Sequence, residues 1–389
     1  MKIVTIVGAR PQFIKSAPVC RALREAGHRE ILVHTGQHYD DGMSAVFFRE
    51  MGIAEPDVNL GVGSGAHGLQ TAEMLIGIEK VVMDEKPDCL LVFGDTNSTI
   101  AGALAAIKLH TPIAHVEAGL RSYNREMPEE HNRVLTDHCS DILFCPTETA
   151  VTNLRREGFT NIVNEGSFTE SPESSILDSH LSTGAQPLVI NIGDTMYDAV
   201  LEFSAIARQR STAMADMTLE KGGYCLATLH RPYNVDHPAH LTDILEAFIE
   251  IDETVVFPVH PRTRGRIVAL DDSFVENLGK SRVKLIDPVG YLDMLILEQN
   301  ARAVLTDSGG MQKEAYFFGV PCVTLRPETE WVETVESGWN VLAGNNKSLI
   351  VEKAAAAKPS GSSRVLYGDG RASEKIIRTL ERVLSARDA

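Results

Sequence analysis

Two carboxylates in the first half of the chain stand where acid–base chemistry is readily placed. Asp95 follows the apolar run 89–93, and Glu117 follows the apolar run 113–116. Short apolar runs of this kind predict buried strands of a parallel sheet. Ligands of open α/β sheets bind beyond the carboxyl ends of such strands. Acids in these positions therefore favour an enzyme that moves protons.

A third carboxylate is expected to join them. Glu129 follows Pro128, a residue typical of the first helical position, so its side chain projects from the first turn of a helix. Acids in a first turn also complement the helix dipole, and we expect that structural role for one of Glu129 and Glu130. Arg121 and Arg133 lie on either side of this turn and are candidates for substrate contact.

A glycine-rich turn in the second half predicts a diphosphate site. After the apolar run 303–305 come Ser308, Gly309 and Gly310, whose backbone N–H groups can approach an anion at a helix N-terminus. Ser308 would also serve as a helix cap, but capping alone does not require the second glycine. Glu314, one turn into this helix, is expected to accept hydrogen bonds from ribose hydroxyls.

Further candidates follow other predicted strands. Arg10 and Lys15 come after the first strand, where a forked guanidinium suits a phosphate, although a plain turn with a solvated arginine is the alternative. His230 and His260 each close a strand of the second half, and Arg262 follows His260. A single histidine at a strand end is usually structural, whereas two indicate a site.

Two other kinds of ligand site are disfavoured. The sequence has no His-Glu-x-x-His pattern and no His and Cys cluster at ligand spacing, so we expect neither a metal nor a cofactor. The glycine pattern at 63–68 is not preceded by a buried first strand. We interpret it as a loop leading into a helix rather than as a dinucleotide site.

The elements that position these residues alternate between strand and helix patterns, which predicts an α/β protein with doubly wound parallel sheets. The predicted strands are 2–7, 30–35, 89–93, 113–117, 141–145, 188–192, 224–228, 254–259, 283–286, 302–306 and 321–325. The predicted helices are 12–26, 41–51, 68–85, 97–109, 129–138, 195–209, 239–250, 290–299, 310–318 and 370–386.

The 389 residues exceed the size of one hydrophobic core and predict two Rossmann-like domains that face each other across a cleft. We expect the first domain to span 1–195 and the second 196–369, with a hinge near 190–200. Helix 370–386 is expected to pack back on the first domain. The polar, serine-rich stretch 164–187 predicts a mobile surface insertion.

Composition restricts the partners. A formal net charge of −16 argues against nucleic acid, although a local basic pocket still permits an anionic substrate. No apolar run reaches the ~18 residues that span a bilayer, which disfavours a membrane partner. The six cysteines form no Cys-x-x-Cys pair and predict free thiols in a reducing, cytoplasmic compartment.

Together these motifs resemble those of the non-hydrolysing UDP-N-acetylglucosamine 2-epimerases over nearly the whole chain outside 164–187. The motifs that carry the resemblance are Gly8-Ala-Arg-Pro, Gly94-Asp-Thr, His115-Val-Glu-Ala-Gly-Leu-Arg, Pro128-Glu-Glu, Asn132-Arg, Leu229-His-Arg, Asp287-Pro-x-x-Tyr-Leu and Leu305-Thr-Asp-Ser-Gly-Gly-x-Gln-x-Glu. The resemblance implies the GT-B fold, a UDP-sugar substrate, bound UDP, a homodimer and a role in supplying surface polysaccharide precursors.

The resemblance also assigns roles to residues. It implies that UDP is held mainly by the second domain, with uracil near Tyr291, phosphates on His230 and the Ser308 turn, and ribose on Glu314. Arg10 reaches the phosphates from the first domain. The implied catalytic residues are Asp95, Glu117, Glu129 and His230. The implied substrate-binding residues are Arg10, Lys15, Arg121, Arg133, His260, Arg262, Tyr291, Ser308, Gly309, Gly310, Glu314 and Arg326.

The family's reaction explains why several acids are needed. UDP is eliminated across C1–C2 to give 2-acetamidoglucal and is then added back with the proton on the other face. Departure of UDP needs cationic support for the diphosphate. Proton movement on both faces of C2 is not easily served by one carboxylate, so acid–base groups are expected on two sides.

Two segments depart from the common family pattern. Common members have Arg-Asp-x-Thr-Glu-Arg-Pro-Glu at 326–333, where this chain has Trp331-Val332, and His-Arg-Arg-Glu-Asn at 230–234, where it has Pro232-Tyr233. The Glu-Trp-Val-Glu form resembles relatives that act on UDP-2,3-diacetamido-2,3-dideoxy-glucuronic acid, which is the alternative substrate.

Activation by substrate and two other functions can also be considered from the sequence. The arginine that some bacterial members use for a second UDP-sugar near 61–68 is missing, so we predict no activation by substrate. A GT-B glycosyltransferase and a non-catalytic nucleotide-sugar-binding regulator remain alternatives. The first would need an acceptor and would not exchange the C2 hydrogen, and the second would bind without turnover.

Overall fold

The computed structural model describes residues 1–36, 55–171, 177, 186–358 and 366–387. The chain forms two compact units, Met1–Glu202 with Val365–Ala389, and Phe203–Arg364. Their boundary falls inside the helix Thr195–Arg210. The predicted helix 41–51 and most of the predicted insertion 164–187 lie outside the described residues.

The first unit contains a parallel sheet whose described strands follow the order β3-β2-β1-β4-β5-β6-β7. Its strands are Lys2–Val7 (β1), Arg29–His34 (β2), Val58–Asn59 (β3), Cys89–Phe93 (β4), Ile113–Val116 (β5), Ile142–Cys145 (β6) and Leu188–Asn191 (β7). Its helices are Arg10–Glu25, His67–Glu85, Asn97–Lys108, Pro128–Cys139, Glu148–Arg156, the 3₁₀ turn Val163–Gly166, and Ala372–Arg387, with Thr195–Arg210 leading into the second unit.

The second unit contains a parallel sheet in the order β10-β9-β8-β11-β12-β13 over the residues described. Its strands are Tyr224–Thr228 (β8), Thr254–Pro258 (β9), Val283–Ile286 (β10), Ala303–Thr306 (β11), Cys322–Thr324 (β12) and Asn340–Leu342 (β13). Its helices are Ala213–Asp216, Pro232–Val235, Pro238–Glu250, Pro261–Val268, Asp272–Lys280, Tyr291–Asn300, Gly309–Phe318, Val332–Glu336 and Lys347–Ala356.

Burial on both faces explains why the central strands are apolar throughout. Every residue of β4 and β8 is buried, because helices cover both faces of a parallel sheet. Gly102 lets one of these helices approach closely, since a Cβ there would lie 3.0 Å from Val92 Cγ1. The prediction of an α/β fold with two doubly wound parallel sheets is confirmed.

The strand order sets where ligands can bind in each unit. In the first sheet the order reverses between β1 and β4, and in the second between β8 and β11. Such switch points leave a crevice beyond the carboxyl ends of the strands. The residues after these four strands are therefore the candidates for a site. They include Arg10, Asp95, His230 and Ser308.

Several boundaries differ from the sequence prediction. The first helix begins at Arg10, not at residue 12, and β5 ends at Val116, so that Glu117 lies outside the strand. The short edge strands β3 and β13 are not in the predicted pattern. The helices missing from it are Glu148–Arg156, Ala213–Asp216, Pro232–Val235, Pro261–Val268, Asp272–Lys280, Val332–Glu336 and Lys347–Ala356. Two- and three-residue strands give too little alternation for a period to be recognised.

Candidate functional site

Asp95 follows β4 and is held by an arginine from a neighbouring helix. Its Oδ2 atom lies 2.5 Å from Arg133 Nη2. Arg133 is buried, whereas the Asp95 side chain keeps 26% of its surface exposed. Asn132 Nδ2 also donates to the Asp95 carbonyl oxygen over 2.9 Å. The exposed part of the Asp95 carboxylate therefore remains available at the strand end.

Glu117 combines an unusual backbone with a buried ion pair. Its φ is +71°, in the left-handed region that costs about 1–3 kcal/mol for a residue other than glycine. Its carboxylate oxygens each lie 2.6 Å from Lys15 Nζ. A Cβ on Gly94 would lie 3.7 Å from Glu117 Oε1 and 3.9 Å from Lys15 Nζ, so this pair sits beside the end of β4. Backbone strain of this kind clusters at functional sites.

The two adjacent glutamates of the helix Pro128–Cys139 have different environments. Glu130 is buried and accepts hydrogen bonds from Ser122 N, Ser122 Oγ and Tyr123 N, each over 2.9 Å. Burial alone would raise its pKa, but these hydrogen bonds and the charge of Arg133 hold the pKa of Glu130 below its ordinary value. Glu129 stays partly exposed in the first turn. Glu130 therefore takes the structural role expected for one of the two.

Gln12 is a residue at this edge that the sequence analysis did not single out. Its Oε1 accepts from Gly8 N and Ala9 N over 2.8 and 3.1 Å, and its Nε2 donates to Phe93 O over 2.8 Å. The side chain thus ties the turn after β1 to the end of β4. The signal available in the sequence was a glutamine at the third position of the helix that follows the Gly8-Ala9 turn. Arg10 is exposed at the first position of the helix that follows.

Arg121, which was predicted to contact the substrate, pairs with carboxylates of the protein itself. Its Nε and Nη2 donate to the two Glu157 carboxylate oxygens over 2.7 and 2.8 Å, and its Nη1 lies 2.7 Å from Asp137 Oδ2. Nη1 also donates to Leu120 O. The guanidinium is buried, and its charge is balanced by the carboxylates of Asp137 and Glu157.

In the second unit a buried aspartate organises the turn after β8. Asp307 is fully buried, and its carboxylate accepts from His230 N, Arg231 N and Asn234 Nδ2 over 2.9–3.2 Å. His230 Nδ1 lies 3.6 Å from Asp307 Oδ1. This turn holds the His230 side chain at the carboxyl end of the strand.

The pKa of His230 lies below its ordinary value. The surrounding protein removes part of the water around the ring, whose side chain stays 45% exposed. Arg231, His260 and Arg326 add positive charge, while Asp307 acts in the opposite direction. His230 is therefore neutral near pH 7. A proton on it would add positive charge to the strand end that is predicted to hold a diphosphate.

The predicted diphosphate turn begins the helix Gly309–Phe318. Ser308 is its N-cap residue and makes no side-chain hydrogen bond to the helix backbone, so the first N–H groups remain directed at the N-terminus. A Cβ on Gly309 would lie 2.3 Å from Glu330 Oε1 and 3.2 Å from Trp331 Nε1. A larger residue at this position would require Glu330 or the helix start to move, because the segment that departs from the family pattern packs against it.

Glu314 and Tyr291 lie together in the same unit. Tyr291 Oη donates to Glu314 Oε1 over 2.9 Å, and both side chains are buried. Nearby Glu298 is fully buried, and burial followed by the charge of Glu314 raises its pKa well above the ordinary value. Burial therefore favours the protonated form of Glu298, which reduces the negative charge beside Glu314.

The remaining candidates of the second unit have local partners. Arg326 is buried, with Nη1 3.1 Å from Glu330 Oε2. His260 Nδ1 accepts from Arg262 N over 3.2 Å and caps the helix Pro261–Val268, while the Arg262 guanidinium pairs with Asp236. His260 and Arg262 are exposed at the end of β9.

The part of the chain that the structure describes contains no group of three or more His, Cys, Asp or Glu side chains arranged to hold a metal ion. None of its helices is long and apolar enough to cross a membrane.

Known proteins resemble this chain over nearly its full length. A UDP-N-acetylglucosamine 2-epimerase homolog from Methanococcus maripaludis is 51% identical over 382 residues, which cover 98% of this chain and 99% of the relative. The UDP-2,3-diacetamido-2,3-dideoxy-D-glucuronate 2-epimerase of Pseudomonas aeruginosa is 49% identical over 390 residues, which cover 98% of this chain and 100% of the relative.

A solved structure gives the same relationship. The crystal structure of Methanocaldococcus jannaschii UDP-GlcNAc 2-epimerase in complex with UDP-GlcNAc and UDP matches with a TM-score of 0.81 and 42% identity, covering 98% of this chain and 99% of that one. The family model described as UDP-N-acetylglucosamine 2-epimerase matches residues 21–381. These findings confirm the resemblance found in the motifs: the chain belongs to the UDP-N-acetylglucosamine 2-epimerase family.

Proposed function

We propose that this protein interconverts UDP-N-acetylglucosamine and UDP-N-acetylmannosamine. The observation that carries the proposal is the placement of Asp95 and Glu117 after the neighbouring strands β4 and β5, the first of which borders the switch point of the first sheet. Each acid is held by a buried cation, Arg133 for Asp95 and Lys15 for Glu117. The related Methanocaldococcus jannaschii enzyme in complex with UDP-GlcNAc and UDP supports the same substrate for this chain.

The second unit is proposed to bind UDP. The free N–H groups at the start of the helix Gly309–Phe318 and the positive end of its dipole suit a diphosphate. His230 and Arg326 add donors near this turn, and Glu314 offers a carboxylate to ribose hydroxyls. Among the described residues these groups follow β8, β11 and β12, where the doubly wound sheet leaves its crevice.

The reaction follows from the chemistry of the sugar. The C2 hydrogen is not adjacent to a carbonyl group, so its direct removal is unfavourable. In the elimination the C2–H and C1–O bonds break, a C1=C2 double bond forms, a carboxylate takes the proton, and UDP leaves as an anion. Re-addition of UDP with a proton on the opposite face of C2 gives the epimer. We propose Asp95, Glu117 and Glu129 as the proton carriers.

A second substrate is favoured by one structural observation. Trp331, which departs from the common family pattern, is buried beside Gly309 and has Lys313 Nζ 3.9 Å from its ring centroid. The departure thus lies against the turn proposed to bind phosphate. The 49% identical Pseudomonas aeruginosa relative is a UDP-2,3-diacetamido-2,3-dideoxy-D-glucuronate 2-epimerase. The same elimination and re-addition would then act on a diacetamido uronic acid.

Incubation in heavy water distinguishes the candidates. UDP-N-acetylglucosamine and the diacetamido uronate nucleotide are supplied separately, and products are followed by NMR. Deuterium at C2 together with a mixture of gluco and manno UDP-sugars supports the first substrate. Turnover of the uronate alone supports the second. Free N-acetylmannosamine as the main product overturns the non-hydrolysing reaction, and binding without exchange of either nucleotide supports a regulator. Turnover that requires an acceptor and leaves C2 protonated indicates a glycosyltransferase.

We also propose that two copies of the chain associate through the first unit. The helix His67–Glu85 exposes Leu69, Ile76 and Met83 at seven-residue spacing, with 61%, 65% and 57% of their surfaces accessible. Leu135 on another helix of the unit is 52% exposed. Residues seven apart share one helix face, so this stripe suits a second copy.

A cytoplasmic location is proposed from the cysteines. The six cysteines are free thiols, and five of them are buried. Burial raises the pKa of thiols such as Cys225 and Cys322 to about 12, which makes them unreactive at neutral pH. Free thiols are the form that a reducing cytosol maintains.

A further inference from the structure

His115 is a fully buried histidine on β5 whose two ring nitrogens both face hydrogen-bond acceptors. Nδ1 lies 2.7 Å from Asp137 Oδ1, and Nε2 lies 2.8 Å from Gly94 O. A carbonyl oxygen has no hydrogen to donate, so Nε2 must carry one. The state of Nδ1 then depends on whether Asp137 is ionised.

The surroundings of Asp137 require the carboxylate form. Its Oδ2 accepts from Gly119 N over 3.1 Å and lies 2.7 Å from Arg121 Nη1. These two donors, one of them a guanidinium, stabilise the ionised form, and the pKa of Asp137 lies below its ordinary value although burial alone would raise it. An ionised Asp137 has no hydrogen for Nδ1, so Nδ1 must carry its own. His115 is thereby an imidazolium in the interior of the first unit.

Charges from the neighbouring elements balance this cation. Arg121 faces Asp137 and also pairs with Glu157, and His138 Nε2 lies 3.2 Å from Glu157 Oε2. The neutral thiol of Cys145 on β6 lies near Asp137, whose charge adds to burial in raising its pKa. Two cations, His115 and Arg121, thus meet two anions, Asp137 and Glu157, as a buried ion network requires.

The position of this network in the chain gives it a role. Gly94 directly precedes Asp95, and His115 lies two residues before Glu117. Asp137 belongs to the helix Pro128–Cys139, which carries Glu129 in its first turn. The three backbone segments that bear the proposed proton carriers are therefore joined through one buried histidine.

We propose that the His115–Asp137 ion pair positions Asp95, Glu117 and Glu129 for proton transfer without touching the substrate. The inference rests on the proposed epimerase function. Gly94 and Glu117 both have positive φ, at +62° and +71°. The first is open to glycine without strain, whereas the second persists only where the surroundings hold it. The hydrogen bond from Nε2 to Gly94 O holds the first, and the bond from Gly119 N to Asp137 holds the turn after the second.

Asp137→Asn tests the pair with little change of shape. The asparagine oxygen can still accept from Gly119 N, while its amide donates to His115 Nδ1 and leaves the ring neutral. We expect kcat to fall on the order of 10²-fold, since small displacements of catalytic groups have effects of this size. KM for the UDP-sugar and the Kd of UDP are expected to stay within about threefold, because UDP is proposed to bind to the second unit. His115→Gln is the second variant and is expected to give the same split.

His138→Gln is the matched control. It lies next to Asp137 on the same helix but is half-exposed and faces Glu157, so its kcat is expected to stay within about twofold of the parent value. Circular dichroism and thermal melting of all variants report folding. Nitrogen-15 NMR of histidine-labelled protein gives a readout that is independent of turnover. Both His115 nitrogens are expected to carry a hydrogen in the parent and only one in Asp137→Asn.

Two results overturn the inference. One is a parent His115 ring in which only one nitrogen carries a hydrogen. The other is a folded Asp137→Asn variant with unchanged kcat. If the parent protein exchanges no C2 hydrogen on either nucleotide, the proposed function fails, while the NMR result still decides the charge of His115.

Discussion

Arg133 Nη2 lies 2.5 Å from Asp95 Oδ2, which joins a catalytic candidate on a strand end to a buried guanidinium on a helix. The same guanidinium reaches Glu130 Oε2 through Nη1 over 2.9 Å. Glu130 in turn accepts from the backbone of Ser122 and Tyr123. One forked cation therefore fixes Asp95 relative to the segment that follows Glu117.

Arg133→Lys tests this forked contact. An ammonium cannot reproduce two directed pairs in a fixed plane, so Asp95 loses its position while the charge is kept. We expect kcat to fall about tenfold or more, with little change in UDP affinity. Steady-state kinetics and calorimetric titration with UDP measure the two effects. Arg125→Lys, on an exposed part of the same segment, is the control. Equal activity of Arg133→Lys and the control would contradict the positioning role.

Glu117→Gln, Asp95→Asn and Glu129→Gln test the proton carriers. Each substitution replaces a carboxylate with an amide of similar shape that cannot take up the proton. Turnover is therefore expected to fall on the order of 10²–10⁴-fold. UDP binding is expected to persist. Deuterium incorporation at C2 measures the proton step directly. Glu126→Gln, on the exposed segment before Glu129, is the matched control. A variant with near-parent exchange would remove its carboxylate from the mechanism.

Gly309→Ala tests the close approach of the second-unit segments. The added methyl would meet Glu330 Oε1 at 2.3 Å, so either Glu330 or the helix start must shift. Overpacking of this kind costs about 1–3 kcal/mol, and we expect UDP affinity to fall about tenfold. Gly265→Ala is the control, because no atom lies within 4 Å of a Cβ there. Gly265 also lies in a different helix, Pro261–Val268, and not at the turn proposed to bind phosphate. Unchanged UDP affinity in Gly309→Ala would place the diphosphate away from this turn.

The lowered pKa of His230 predicts a pH dependence of substrate affinity. His230 is neutral at pH 7.5 and gains its proton only below its ordinary value, about 6.5. The cation attracts a diphosphate, so affinity should rise as pH falls through the His230 pKa. UDP-N-acetylglucosamine is the suitable probe, because its diphosphate diester gains no proton in this range. Calorimetry on the Glu117→Gln background separates binding from turnover.

The same proton has the opposite effect on stability. The native state binds it less tightly than the unfolded chain, so His230 lowers the free energy of unfolding as pH falls below about 6.5. His230→Gln should flatten both dependences. A pH profile of affinity that is identical in parent and His230→Gln would show that another group titrates.

Ile76→Lys tests the proposed association of two copies. A charge in the middle of the apolar stripe should convert a dimer to a monomer, which light scattering after size-exclusion chromatography measures. Val268→Lys is the control, because Val268 is 68% exposed and belongs to the second unit, not to the helix that carries the stripe. A parent protein that is monomeric at micromolar concentration, or an Ile76→Lys dimer, would exclude this surface as the interface.

The sequence by itself determined both sheets and most residues at their carboxyl edges. Strands that are buried on both faces are apolar throughout, so runs such as β4 and β8 stand out, and the polar residues that end them are visible in the sequence. Asp95, Glu117, His230 and Ser308 were all found in this way. The sequence showed that residues 326–333 depart from the common family pattern. It did not show that they lie beside Gly309.

Only the tertiary structure decided which side chains meet. Lys15 and Glu117 are 102 residues apart and come together because β1, β4 and β5 are adjacent in the sheet. Local periodicity carries no information about strand order, so Arg121 could not be assigned to Asp137 and Glu157 from sequence. The charge of His115 follows from two acceptors on separate elements. Pairings of this kind arise when the sheet assembles, because they depend on distances that no single segment contains.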